Sequence, residues 1–109
     1  MATHHASPSE IIDLDTWAQD LPHEHAKVIV KTHEMELARL VFPAGGEFPD
    51  HSVSGPIVVH CVKGEIEFTA MSETRILKAG QLLYLMPGEQ HSLRAITNAV
   101  VLLTIIFKV

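Results

Sequence analysis

The sequence is poor in the features that define several common protein classes. It has a single cysteine, Cys61, which excludes an internal disulfide framework, and its first residues, MATHHASPSE, lack the basic-then-apolar pattern of a secretory leader. A reducing, cytoplasmic location is the expectation. Long apolar runs are missing too: Pro56 to Val59, and Ala99 to Phe107 with Thr104 interrupting it, reach only about half of the roughly 20 residues a membrane helix needs. No membrane partner is expected. Cations are also scarce. Eight Lys and Arg stand against thirteen Asp and Glu, a formal charge of -5, so the counterion release that drives non-specific nucleic-acid binding is absent. Nucleic acid is therefore not an expected partner either.

What is there suits one folded domain. The chain has 109 residues, of which 47% are hydrophobic and 19% charged, enough apolar surface for one core and too little length for two. Histidine stands out, with eight copies. It is the side chain that titrates near neutrality and a frequent metal ligand.

Residues 1–25 read as a polar, irregular N-terminal arm in which Pro8 and Pro22 flank one amphipathic piece, residues 11–17, able to lay Ile12, Leu14 and Trp17 on an apolar surface. The pair His4-His5 falls in its terminal part and reads as solvated tail. Residues 26–109 form the domain proper. There the texture is short β-branched runs between turn signals: KVIVKT, ELARLVF, PIVVHCV, EIEFTA, TRILKA, LLYLM, HSLRAI and AVVLLTIIF are candidate strands, with no helical pattern between them. The reading is an all-β, small antiparallel barrel. Glycine in Gly45-Gly46, Gly55-Pro56, Lys63-Gly64, Ala79-Gly80 and Pro87-Gly88 supplies positive φ for the reversals.

Two glycine-bounded segments carry the histidines of interest, Gly45 to Gly64 around His51 and Gly80 to His91. Their spacing resembles the two motifs of the cupin superfamily, double-stranded β-helix barrels of jelly-roll type. Gly45, His51 and Gly64 match the first motif, and Gly80, Gly88 and His91 match the second. The resemblance covers about residues 35 to 107. It implies a metal site built from two His and one Glu of the first motif and one His of the second. Here the second His position is Val53 and the Glu position is Ile57, while Pro87 is one place late and Ala95 fills the Asn position. Only His51 and His91 remain of the four ligands, so the metal set is incomplete.

Strand alternation decides the other candidates. If Ile57 points into the barrel, then Val59 and Cys61 do as well and His60 points away, unless a β-bulge shifts the parity. His60 is therefore the weaker metal candidate, and Cys61 reads as a small buried hydrophobe. Val53, Ile57, Val59, Cys61, Met86 and Leu93 should line an apolar pocket with the two imidazoles, although the same stripe would also suit a solid core. Asp50, Glu89, Glu65 and Glu67 read as solvated. No nucleophile elbow or phosphate-cradling loop is present.

The resulting expectation is a small-molecule ligand bound in the barrel pocket with weak or absent metal. The alternative is a metal-dependent enzyme of dioxygenase or isomerase type, in which His51 and His91 help hold a divalent ion (Fe, Mn, Ni or Zn). The family resemblance alone does not choose between them. Finally, the last run, AVVLLTIIF, is apolar on both faces. A homodimer, with the arm packing across it or covering that face itself, is expected.

Overall fold

A computed structural model describes residues 5–14 and 26–107. The described domain is entirely β: β1 (Ala26–Lys31), β2 (Met35–Phe42), β3 (Glu47–His51), β4 (Ile57–Lys63), β5 (Glu65–Ala70), β6 (Glu73–Lys78), β7 (Gln81–Leu85), β8 (His91–Ala95) and β9 (Ala99–Ile106). They form two antiparallel sheets, one in the order β1-β2-β9-β4-β7 and the other β3-β8-β5-β6. Consecutive strands repeatedly cross from one sheet to the other, so the sheets face each other as the two walls of a jelly roll. No helix of the described residues is long and apolar enough to cross a membrane.

Alternation places the core between the walls. Along β4, Ile57, Val59 and Cys61 are buried while Val58, His60 and Val62 are only half-buried. On β5 the buried positions are Ile66 and Phe68, on β8 they are His91, Leu93 and Ala95, and β9 adds Ala99, Val101 and Leu103. Leu40, Phe42, Leu77 and Leu85 complete one continuous apolar cluster. Burying a side chain of this size stabilises by about 1.5–3 kcal/mol, so the interleaved rows fix the register of both sheets.

Eight of the nine strands correspond to runs legible in the sequence, and β3 does not. Its Pro49 and Asp50 look like loop. Pro49 is tolerated because β3 is an edge strand with a register shift between Phe48 and His51, and a residue without an N–H is admitted at an edge or a bulge. The turns also differ in one place. Gly45, Gly64, Gly80 and Gly88 have positive φ, as the reversals require, whereas Gly55 does not. Gly55 is glycine for space: an added Cβ would collide with the Ile106 carbonyl oxygen.

The N-terminal segment lies against the outer face of the five-stranded sheet. The Ala6 amide donates to the Ile29 carbonyl, 2.7 Å, and Arg39 Nε donates to the Leu14 carbonyl, 3.0 Å. Ile12 and Leu14 are half-buried there. Trp17, the third apolar residue expected of the arm, lies outside the described residues.

Candidate functional site

His51 and His91 meet because a bulge corrects the parity of β3. Phe48 pairs with Leu93, and strict pairing would then set residue 50 opposite His91. The extra residue instead brings His51 directly opposite His91. Phe48 and His51, three apart and therefore on opposite faces of a regular strand, both turn inward. The two Nε2 atoms are 3.0 Å apart and the ring centroids 4.1 Å.

Each ring is also tethered at its other nitrogen. His51 Nδ1 donates to the Pro49 carbonyl at 2.8 Å and His91 Nδ1 to the Glu89 carbonyl at 3.0 Å. In both cases the acceptor lies two residues earlier, Pro49 within β3 and Glu89 just before β8. Phenylalanines hold the faces: Phe48 against His51, centroids 4.5 Å, and Phe68 stacked on His91 at 5.7 Å. Alternation on β5 already assigns Phe68 to the interior. Phe48 is hidden from sequence reasoning because only the bulge turns it toward His51.

Hydrogen counting narrows the state of the pair. A carbonyl only accepts, so both Nδ1 atoms carry hydrogen, and two neutral rings would present two bare Nε2 lone pairs to each other at 3.0 Å. That contact is repulsive unless a cation sits in it. A third hydrogen, making one ring imidazolium, satisfies every nitrogen. His91 is 4% exposed, and burial pushes its pKa below the usual histidine value; the Glu89 hydrogen bond opposes this, the charge of His51 reinforces it, and Asp50 opposes it. Burial thus disfavours charge on His91, and a hydrogen or a cation shared between the two Nε2 atoms would relieve their contact.

The remaining sequence candidates divide clearly. Ile57, Val59, Cys61 and Leu93 are buried in the core cluster, and Val53 is half-buried against it. Met86 is a correction: expected in the interior, it is 62% exposed. On β7 the inward positions are Leu83 and Leu85, and Met86 lies past the strand's end, where its carbonyl enters a turn with the Glu89 amide. His60 points to the outer face, since the register shift of β4 against β9 comes after it, between Cys61 and Lys63. The Cys61 thiol donates toward the Lys63 and Gly64 carbonyls, and burial, then Glu65, pushes its pKa up. It is a poor nucleophile and a poor ligand.

A divalent metal needs more donors than this set supplies. Structural and catalytic sites take at least three protein ligands. Among the described residues no group of three or more His, Cys, Asp or Glu is placed to hold an ion, and Val53 and Ile57 offer no donor atom. The residues present do not fit a protein-held metal centre.

Beside the pair, β5, β6 and β7 enclose an open cleft of about 240 Å³, lined by Phe68, Ala70, Arg75, Leu83, Tyr84 and Leu85 among others. Phe68 is its common wall with His91. At its rim Arg75 pairs with Glu73 at 2.7 Å.

Two facing antiparallel sheets with a pair of inward imidazoles on adjacent strands define a small jelly-roll domain with one polar spot inside. Residues 38–107 match the family model described as Cupin domain, and the chain belongs to the cupin family. No curated protein matches it. Among solved structures, a conserved protein of unknown function from Streptococcus pyogenes aligns over 100% of this chain and 97% of its own, at 21% identity and TM-score 0.80. An RmlC-like cupin from Desulfovibrio desulfuricans aligns over 97% and 96%, at 24% identity and TM-score 0.70. A predicted oxalate decarboxylase from Thermotoga maritima aligns over 76% and 79%, at 22% identity and TM-score 0.70. These likenesses establish the fold.

Proposed function

We propose that this cupin is a binding module for a small organic anion, a carboxylate attached to a compact apolar body, held in the barrel beside His51 and His91 without a resident metal. One observation carries the reading: two tethered imidazoles with opposed Nε2 atoms 3.0 Å apart, whose hydrogen bonding balances only with one added positive charge. That charge lies among apolar side chains, where the local dielectric is low and a unit charge reaches further than in water. The cleft behind Phe68, about 240 Å³, is slightly below the usual range for small-molecule pockets. It suits a body the size of a benzene ring, with Leu83 and Leu85 as apolar contacts.

Histidine ring NMR during a benzoate titration tests the reading. The ring signals of His51 and His91 are expected to shift and saturate together, and the shifts vanish in His51→Ala. A panel of small carboxylates that moves neither ring refutes it.

A second reading has its own support. Two nitrogens bound at about 2.05 Å to adjacent corners of an octahedral ion stand about 2.9 Å apart, close to the Nε2 separation of 3.0 Å. A divalent ion in place of the third hydrogen, completed by water or substrate, would make the domain a metal-dependent enzyme. Stoichiometric Fe, Mn, Ni or Zn in protein purified without added metal decides for it.

A further inference from the structure

The β5–β6 hairpin reverses through only Met71 and Ser72, because Ala70 already pairs with Glu73. Both turn residues have positive φ, 54° and 63°, the pattern of a tight hairpin turn that Asn-Gly fills without strain. Methionine does not fill it so well, since in the left-handed region its Cβ crowds the following carbonyl oxygen. Among the described residues of the barrel, every other positive φ falls on a glycine, at Gly45, Gly64, Gly80 and Gly88. The exception sits at the site. Ala70, next to the turn, stands opposite His91 on β8, and Ala70, Met71 and Phe68 all line the cleft. Met71 is 69% exposed, so no burial of its side chain offsets the strain. The cleft opens where β6 and β7 face each other, at the edge of the five-stranded sheet remote from β1 and β2, against which the N-terminal segment lies.

We infer, resting on the proposed function, that Met71 is a specificity-determining residue: its thioether covers the apolar body of the bound anion, and that body is an aromatic ring. Strain of this kind persists where a side chain serves a ligand rather than the fold. The lining of the cleft selects the ring. Phe68 and Tyr84 contribute aromatic surface, which favours a second ring in offset or edge-on contact beyond the area it buries. Sulfur is attracted to a ring edge at about 5 Å, and methionine's three rotatable bonds let it follow the ring into place. A saturated body of similar volume gains neither attraction. Asparagine or glycine at residue 71 would suit the backbone better and would leave the ring uncovered.

Dissociation constants for benzoate and cyclohexanecarboxylate, from histidine ring NMR titrations of the full chain, test the inference together with thermal unfolding. The two anions carry the same charge on rings of similar size. Wild type is expected to bind benzoate about threefold or more tightly than the saturated anion. Met71→Asn is expected to lose that preference and to bind benzoate about threefold or more weakly, while its Tm rises by about 4 °C as the turn relaxes. Ser72→Gly relaxes the other left-handed residue, whose exposed side chain is outside the cleft lining, and is expected to raise Tm with the preference intact. A Met71→Asn protein that binds benzoate as tightly as wild type overturns the inference and leaves the proposed function standing, as does a wild type that binds the two anions equally. A Met71→Asn protein less stable than wild type overturns it too, because the turn then favours its methionine. Wild type that binds neither anion overturns both the inference and the function on which it rests.

Discussion

Replacing His51 with alanine removes one partner of the Nε2–Nε2 contact, a charged hydrogen bond on the proposed reading, from a ring that is 4% exposed. Hydrogen bonds to charged groups contribute about 1.5–3 kcal/mol, and the lost ring contact with Phe48, centroids 4.5 Å apart, adds about 0.5–1.5 kcal/mol. The expected loss is about 2–4 kcal/mol, a large fraction of the roughly 5–15 kcal/mol that holds a domain together. For a chain this long it lowers Tm by roughly 9–17 °C. Urea unfolding of wild type, His51→Ala, His91→Ala and the double variant at pH 7 isolates the pairwise part, since the cavity left by each ring cancels in the cycle. The coupling is expected at about 1.5–3 kcal/mol, and it is expected to survive dialysis against EDTA. A coupling below about 0.5 kcal/mol refutes the shared hydrogen. One that EDTA abolishes puts an ion between the rings instead.

Acid destabilises the fold through His91. The folded-state pKa of His91 lies below its unfolded value, chiefly through burial, so its contribution is complete above about pH 6.5 and is lost as pH falls through the folded pKa. Urea midpoints measured downward from about pH 6.5 are expected to fall, and to fall less in His91→Leu; parallel curves contradict this. Gly55→Ala drives a Cβ into the Ile106 carbonyl oxygen and is expected to cost about 3 kcal/mol or more, whereas Gly80→Ala meets no atom and pays only for its φ of +89°, about 1–2 kcal/mol. Equal thermal shifts for the two refute the close-approach explanation. Val53→His supplies the missing first-motif histidine at a half-buried position and is expected to tighten Zn²⁺ or Ni²⁺ binding at least tenfold by calorimetry, about 1.4 kcal/mol. Unchanged affinity shows that this position does not reach the pair.

The fold was legible because its signals are local. Short β-branched runs ended by Gly64, Gly80 and Gly88 mark reversals that need positive φ, and alternation along PIVVHCV correctly sends Cys61 inward and His60 outward. What escaped depends on pairing with a distant strand. β3 is recognisable only once β8 lies beside it, since EFPDH has neither alternation nor β-branched residues and its Pro49 argues against a strand. The bulge that turns Phe48 and His51 to one side is a property of the β3–β8 pair. Met86 went wrong for the opposite reason: alternation was carried past the point where β7 ends and the Met86-Pro87-Gly88 turn takes the side chain off the sheet.

That each ring is tethered through its own Nδ1 has a further consequence for selectivity. Each tether is made within a few residues of its own strand, Pro49 to His51 and Glu89 to His91, so it needs neither Val53 nor Ile57 to be a ligand. The pair is therefore oriented before anything binds, and a ligand pays little to organise it. With hydrocarbon at the other two ligand positions, the signal on the proposed reading is one positive charge, which acts on a ligand's charge more than on its shape. Benzoate and benzamide share a ring and nearly the same volume and differ by that charge. Benzoate is expected to bind at least tenfold more tightly, about 1.4 kcal/mol, and the advantage is expected to disappear in His51→Ala. Equal affinities for the two in the wild-type protein show that the pair is neutral, and the hydrogen count on which the proposed function stands is then wrong.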